Sequence, residues 1–210
     1  MGIFRTSLQY NDTYAFRDYP PLTENQRTHQ ELVPDVSGAS HPGIHRCEIC
    51  GELTSKWEEP LLGLVIKKRK YDISITYDGV LIISQKFKSA CSDNNLSGLV
   101  FRQLSNDADF FAVQASKTVE FDAERRKTRF IQPCNQCGRY ESVVGATPVF
   151  LKAGTEIDGR EFVRTDLEFG SGDQKHPILI CGEVAAKALS NANLKGLDLI
   201  PIKENVGVQN

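Results

Sequence analysis

Two short pieces, Cys47-Glu48-Ile49-Cys50-Gly51 and Cys134-Asn135-Gln136-Cys137-Gly138, constrain this chain more than any other feature. Each is a Cys-x-x-Cys-Gly knuckle. Two residues between the cysteines allow one tight turn to aim both sulfurs at a single point. The following glycine can take a positive φ, which turns backbone N–H groups toward the sulfurs. Together the knuckles offer Cys47, Cys50, Cys134 and Cys137, the full complement for one tetrahedral zinc ion. Paired disulfides are the first competing reading. They are disfavoured because Met1-Gly2-Ile3-Phe4-Arg5 opens no apolar signal segment, so a reducing cytoplasm is the expected setting. A redox dithiol is the second. Such a dithiol sits between a strand and the helix it begins, whereas Gly51-Glu52-Leu53-Thr54 and Gly138-Arg139-Tyr140 read as turns into strands. The expected ion is therefore structural. It staples two distant stretches and so offsets much of the entropy cost of closing a long loop. His41 and His45 precede the first knuckle, but four cysteines already fill the shell.

The second signal is a similarity inside the chain. Val80 to Phe101 aligns without a gap on Ile178 to Leu199. Leu81, Ile82, Ala90, Ser92, Asn95, Leu96, Gly98 and Leu99 find identical partners in Leu179, Ile180, Ala188, Ser190, Asn193, Leu194, Gly196 and Leu197. Each copy reads as strand, helix, strand. An apolar run ends at Ser84 or Gly182, both acceptable helix N-caps. Phe87, Ala90 and Cys91 share one helical face, as do Val184, Ala185, Ala188 and Leu189. Asn94-Asn95 and Asn191-Ala192-Asn193 then close the helices, with Gly98 and Gly196 turning into the next strand. A helical crossover allows the two strands of a copy to lie parallel. Chance likeness between two amphipathic units is the competing explanation.

Elsewhere the pattern is looser. Residues 1–45 form an irregular N-terminal segment with strand-capable aromatics at Phe4, Tyr10, Tyr14 and Phe16. Thr23 to His29 could hold a helical turn, and Val33 to Gly43 reads as a loop. Lys67-Lys68-Arg69-Lys70 reads as a solvated strand end before it reads as a phosphate patch. Thr118 to Asp122 and Lys127 to Ile131 alternate around a charged turn, which predicts a β-hairpin. Pro148 to Leu151 reads as a short strand. Cys91 and Cys181, in apolar surroundings, read as buried inert thiols. The expected organisation is one domain over 1–210, with knuckles at 46–58 and 130–145 and strand-helix-strand units at 71–104 and 165–202. Its fold class is α+β: a zinc-ribbon-like double knuckle joined to two repeated units with β-hairpins.

A net charge of −2 lacks the basic excess of a dedicated nucleic-acid binder, and no run has the apolar length of a membrane span. There is also no glycine-rich phosphate loop, His-Glu-x-x-His or Gly-x-Ser-x-Gly, so no enzyme is expected.

The order knuckle, unit, hairpin, knuckle, unit resembles the double-CXXCG-motif family of small bacterial proteins. The likeness is sharpest from Phe130 to Pro201. There Pro133 to Tyr140 is similar to that family's second knuckle, and Phe162-Val163-Arg164-Thr165-Asp166 with Ile178 to Leu199 is similar to its C-terminal strand, helix and strand. Glu48 and Asn135 depart from the proline frequent at those positions, which leaves the sulfur set intact. Many members are regarded as immunity proteins for toxins delivered by contact between cells. The resemblance thus implies a cytoplasmic protein that binds and neutralises a cognate toxin, encoded by a neighbouring gene. Glu31, Asp35, Glu58, Glu59, Asp107 and Asp109 are acidic candidates for toxin contact. A zinc-ribbon nucleic-acid module is the alternative, and a zinc-thiolate or free-thiol enzyme a third class.

Overall fold

The computed structural model describes residues 2–11, 45–54, 56–57, 61 and 64–202. The helical turn expected at Thr23 to His29 and the loop from Val33 to Gly43 lie outside these residues, as do His41, Glu31, Asp35, Glu58 and Glu59. The fold is mixed α/β with mostly antiparallel sheets and few helices. A large sheet is ordered β11-β1-β10-β9-β8-β7, with β6 added against β9. Its strands are β1 (Ile3–Leu8), β6 (Lys117–Val119), β7 (Arg129–Pro133), β8 (Tyr140–Val144), β9 (Phe162–Ser171), β10 (His176–Gly182) and β11 (Leu197–Ile202). A smaller sheet is ordered β2-β3-β5-β4, from β2 (Ile73–Ile75), β3 (Leu81–Ser84), β5 (Asp107–Ala115) and β4 (Leu99–Leu104).

The two aligned segments run β3, α1 (Gln85–Asp93), β4 and β10, α3 (Glu183–Asn191), β11. Ser84 caps α1, its Oγ accepting from Phe87 N at 3.3 Å. Beyond the helices, Asn95 and Asn193 take φ of 50° and 51°, and Gly98 and Gly196 take 86° and 85°. In neither segment do the two strands pair directly. β5 lies between β3 and β4, antiparallel to both, and β1 lies between β10 and β11 in the same way. The crossover strands are therefore parallel, each pair with a third strand filling the gap. For the first pair that strand follows by hairpin; for the second it arrives from the start of the chain.

Each segment's helix-to-strand turn leans on the chain that leads into the other segment. Ser97 N donates to Arg160 O (3.0 Å) and Phe162 N to Ser97 O (2.9 Å). Reciprocally, Asp72 N donates to Lys195 O (2.8 Å) and Lys195 N to Asp72 Oδ2 (2.9 Å). The approach is close enough that a Cβ at position 98 would lie 2.2 Å from Phe162 O, and one at 196 would lie 2.5 Å from Ile73 O. Glycine is needed there for space as well as for φ. Behind this clasp, Ile83, Phe87 and Phe111 pack with Phe162, Ala185 and Leu189 in one core. Cys91 and Cys181 sit in it, and burial pushes both thiols up to about 12.

Three expectations fail. Thr118 to Ile131 is not a hairpin: β6 pairs in parallel with β9, while β7 pairs with β8. Between β6 and β7 the residues Ala-Glu-Arg-Arg, good helix formers, make a helical turn α2 (Ala123–Arg126). Asp122 caps it, Oδ1 accepting from Arg125 N at 3.1 Å, and this bond, with the Lys152 charge, holds the carboxyl below its ordinary range. Burial decides the outcome: Val119 and Phe121 join Val163, Phe169 and Ile180 in a second core on the far face of the large sheet. From Pro148 to Leu151 there is only a single bridge, Leu151 to Phe121. Lys67 to Lys70 is likewise no strand end. Leu61, Leu64 and Ile66 cover the outer face of the small sheet as irregular chain, and Arg69 beyond them engages Asp107 and Asp109.

Candidate metal centre

Both knuckles are hairpin tips of the same geometry. In the first, Gly51 N donates to Cys47 O (2.8 Å) and Cys47 N to Glu52 O (2.9 Å), above an Arg46–Leu53 bridge. In the second, Gly138 N donates to Cys134 O (2.9 Å) and Cys134 N to Arg139 O (2.7 Å), above the Pro133–Tyr140 pair of β7 and β8. Gly51 and Gly138 have φ of 72° and 71°, and a Cβ at either would meet nothing within 4 Å. Backbone conformation alone selects glycine here.

The fold brings Cys47, Cys50, Cys134 and Cys137 together, with all four Sγ atoms within 4.8 Å of one another. Cys47 and Cys134 sulfurs are 3.7 Å apart, as are those of Cys50 and Cys137. A tetrahedron with metal–sulfur bonds of about 2.3 Å has edges of about 3.8 Å. A disulfide would need about 2.05 Å. The cysteines are free and spaced for a metal ion. Cys47 and Cys134 are buried, whereas Cys50 is exposed and Cys137 half-buried, so the cluster sits at the surface with one side covered. His45 is exposed and outside the group.

The electrostatics favour a cation. Backbone amides of Cys137 and Gln136 aim at the Cys134 sulfur and lower that thiol to about 6. The Glu52 amide does the same for Cys50, but desolvation and the other three sulfurs outweigh it and push Cys50 up to about 12. Thiolates this close repel, and a bound divalent ion removes that repulsion by inverting the local charge balance.

The first knuckle is also fastened without the sulfurs. Glu52 and Lys175 form a buried ion pair at 2.5 Å, and Lys175 Nζ donates further to Tyr140 O (2.7 Å) and Glu141 O (3.2 Å). Asp173 accepts from Leu53 N (3.1 Å) and Arg46 Nη1 (2.8 Å). Arg139 in the second knuckle donates to Thr54 O at 2.6 Å, beyond the first. Lys56 donates to the carbonyls of Asp173 and Lys175; burial lowers its pKa, against the pull of Glu168 and Asp173. Glu52, Asp173 and Lys175 carry no local signature in sequence, since the partners lie more than a hundred positions apart.

Of the acidic residues expected to contact a partner, Asp107 is buried, accepting from Ile66 N (3.2 Å) and pairing with Arg69. Asp109 is exposed and pairs with the same arginine. No known protein family, curated protein or solved structure matches the chain.

Proposed function

We propose that this chain is an immunity protein that binds and neutralises a cognate toxin, with a structural zinc stapling its fold. The observation that carries the reading is the four-sulfur cluster, held at metal spacing by two matching hairpin tips. These occur in the order of elements that resembles the double-CXXCG-motif family. Thiolate ligands at tetrahedral spacing favour zinc, and a closed four-thiolate shell leaves no position for a substrate or an activated water. The same reading takes the two strand-helix-strand segments as copies of one unit. The matching dihedrals at Asn95 and Asn193 and at Gly98 and Gly196 support it.

The nucleic-acid alternative draws on Lys67 to Lys70, and Arg69 in that run is already committed to two carboxylates. No helix among the described residues is long and apolar enough to cross a membrane.

Co-expression with the product of the adjacent open reading frame tests the proposal. The expected result is a one-to-one complex that survives gel filtration, with restored growth. Absence of both complex and rescue refutes it, as does salt-sensitive binding to DNA or RNA in place of a protein partner.

A further inference from the structure

Past the shared core the two sheets part and leave a cleft of about 670 Å³. Strand alternation places Phe162 and Arg164 on one face of β9, and Asp166 and Glu168 follow across an irregularity in its pairing with β10. Phe162 is sealed in the core, while Arg164 and Glu168 line the cleft. Leu179, the β10 partner of Arg164, lines it too. The facing wall is apolar, built by Ile75, Leu81 and Val113 of the small sheet.

Of the charged groups around this space, Lys56 donates to the carbonyls of Asp173 and Lys175, and the Asp166 carboxylate lies two residues from Arg164. Arg139 is paired with Glu168 at 3.4 Å, and Asp166 Oδ1 is occupied by the amides of Phe121 (2.8 Å) and Leu167 (3.0 Å). Lys175 is matched by Glu52. Arg164 is different. Its Nε donates to Ala115 O at 3.2 Å, and its two terminal nitrogens have no hydrogen-bond or ion-pair partner among the described residues. A half-buried guanidinium whose fork opens to the cleft and not to the protein is placed to receive a planar oxyanion, which satisfies both donors at once.

We propose that the cleft is a binding site for a small amphipathic monoanion. Its carboxylate or equivalent oxyanion pairs with the Arg164 fork, and its apolar body lies against Leu81, over a floor that the core residues Leu179 and Val113 form. The volume falls in the range of small-molecule sites. The cleft reaches Gly138 and Arg139 of the second knuckle but none of the four cysteines, and its anion site does not rest on the toxin reading.

The test uses the full metal-loaded chain and 1-anilinonaphthalene-8-sulfonate, an aromatic monoanion that fluoresces in apolar surroundings. The expected result is saturable one-to-one binding that Arg164→Gln weakens at least fivefold while the chain still unfolds in one cooperative transition. Decanoate should displace the dye, and neutral decanol should do so at least tenfold less well. Leu81→Trp, which fills the cleft from the opposite wall and leaves Arg164 in place, should also abolish binding. The proposal is overturned by absence of saturable binding, by Arg164→Gln or Leu81→Trp binding like the unaltered chain, or by decanol competing as well as decanoate.

Discussion

Gly182→Ser is a substitution that helix propensity favours and this structure forbids. Gly182 is the N-cap of α3, with φ −74°, an ordinary value for any residue. Its counterpart in the first segment is Ser84, whose hydroxyl caps α1. Serine at an N-cap is ordinarily worth a few tenths of a kcal/mol, roughly 0.3, over glycine. At position 182, however, a Cβ would lie 2.1 Å from Asp158 O and 2.6 Å from Gly159 Cα, both backbone atoms. The loop presses in because it does the capping itself, with Ala185 N donating to Gly159 O at 2.9 Å. Admitting a side chain means pushing residues 158–159 away. That forfeits this bond and strains the Gly182 N to Glu161 O bond (3.1 Å). Two weakened hydrogen bonds at about 1 kcal/mol each, plus an overpacking cost of about 1–3 kcal/mol, give a net loss of about 3–5 kcal/mol, which the new cap offsets little. Urea unfolding should show a lower midpoint with unchanged slope. For a chain of this size the thermal midpoint should fall by about 5–15 °C. Unchanged or increased stability would refute the argument that the backbone of the 158–159 loop replaces the side-chain cap.

Further predictions follow from the same contacts. Lys175→Met removes one half of a buried ion pair and strands the Glu52 carboxylate, so it should cost about 3–5 kcal/mol in urea unfolding. A loss below about 1 kcal/mol would mean the pair does not fasten the first knuckle. Cys91 and Cys181, at 3% and 0% exposure and both pushed up to about 12, should resist iodoacetamide in the native chain and react only on unfolding. Rapid labelling of either, read by peptide mass, would contradict the shared core.

What could be read in the sequence is what local chemistry decides. Cys-x-x-Cys-Gly dictates a turn within five residues, and both knuckles formed. Ser84 and the apolar faces of α1 and α3 likewise depend on neighbours three and four positions away. Pairing across the chain was not legible. Nothing in Ile3 to Leu8 says that it slots between β10 and β11, because alternation fixes which face is buried but leaves the partner open. The same ambiguity made β6 and β7 look like one hairpin, when each had a better partner in β9 or β8. Leu61, Leu64 and Ile66 are buried against the small sheet outside any regular element, which no periodicity announces. The Glu52–Lys175 clamp was hidden for the same reason: two charges far apart in sequence give no signal until the fold joins them.

The proposed function turns on four sulfurs converging on one ion. X-ray absorption at the zinc edge of the purified chain, with metal content measured on the same sample, tests this most directly. One zinc per chain with four sulfur neighbours at about 2.3 Å is the predicted result. A chain purified without metal, or a zinc ringed by nitrogen and oxygen, would contradict it.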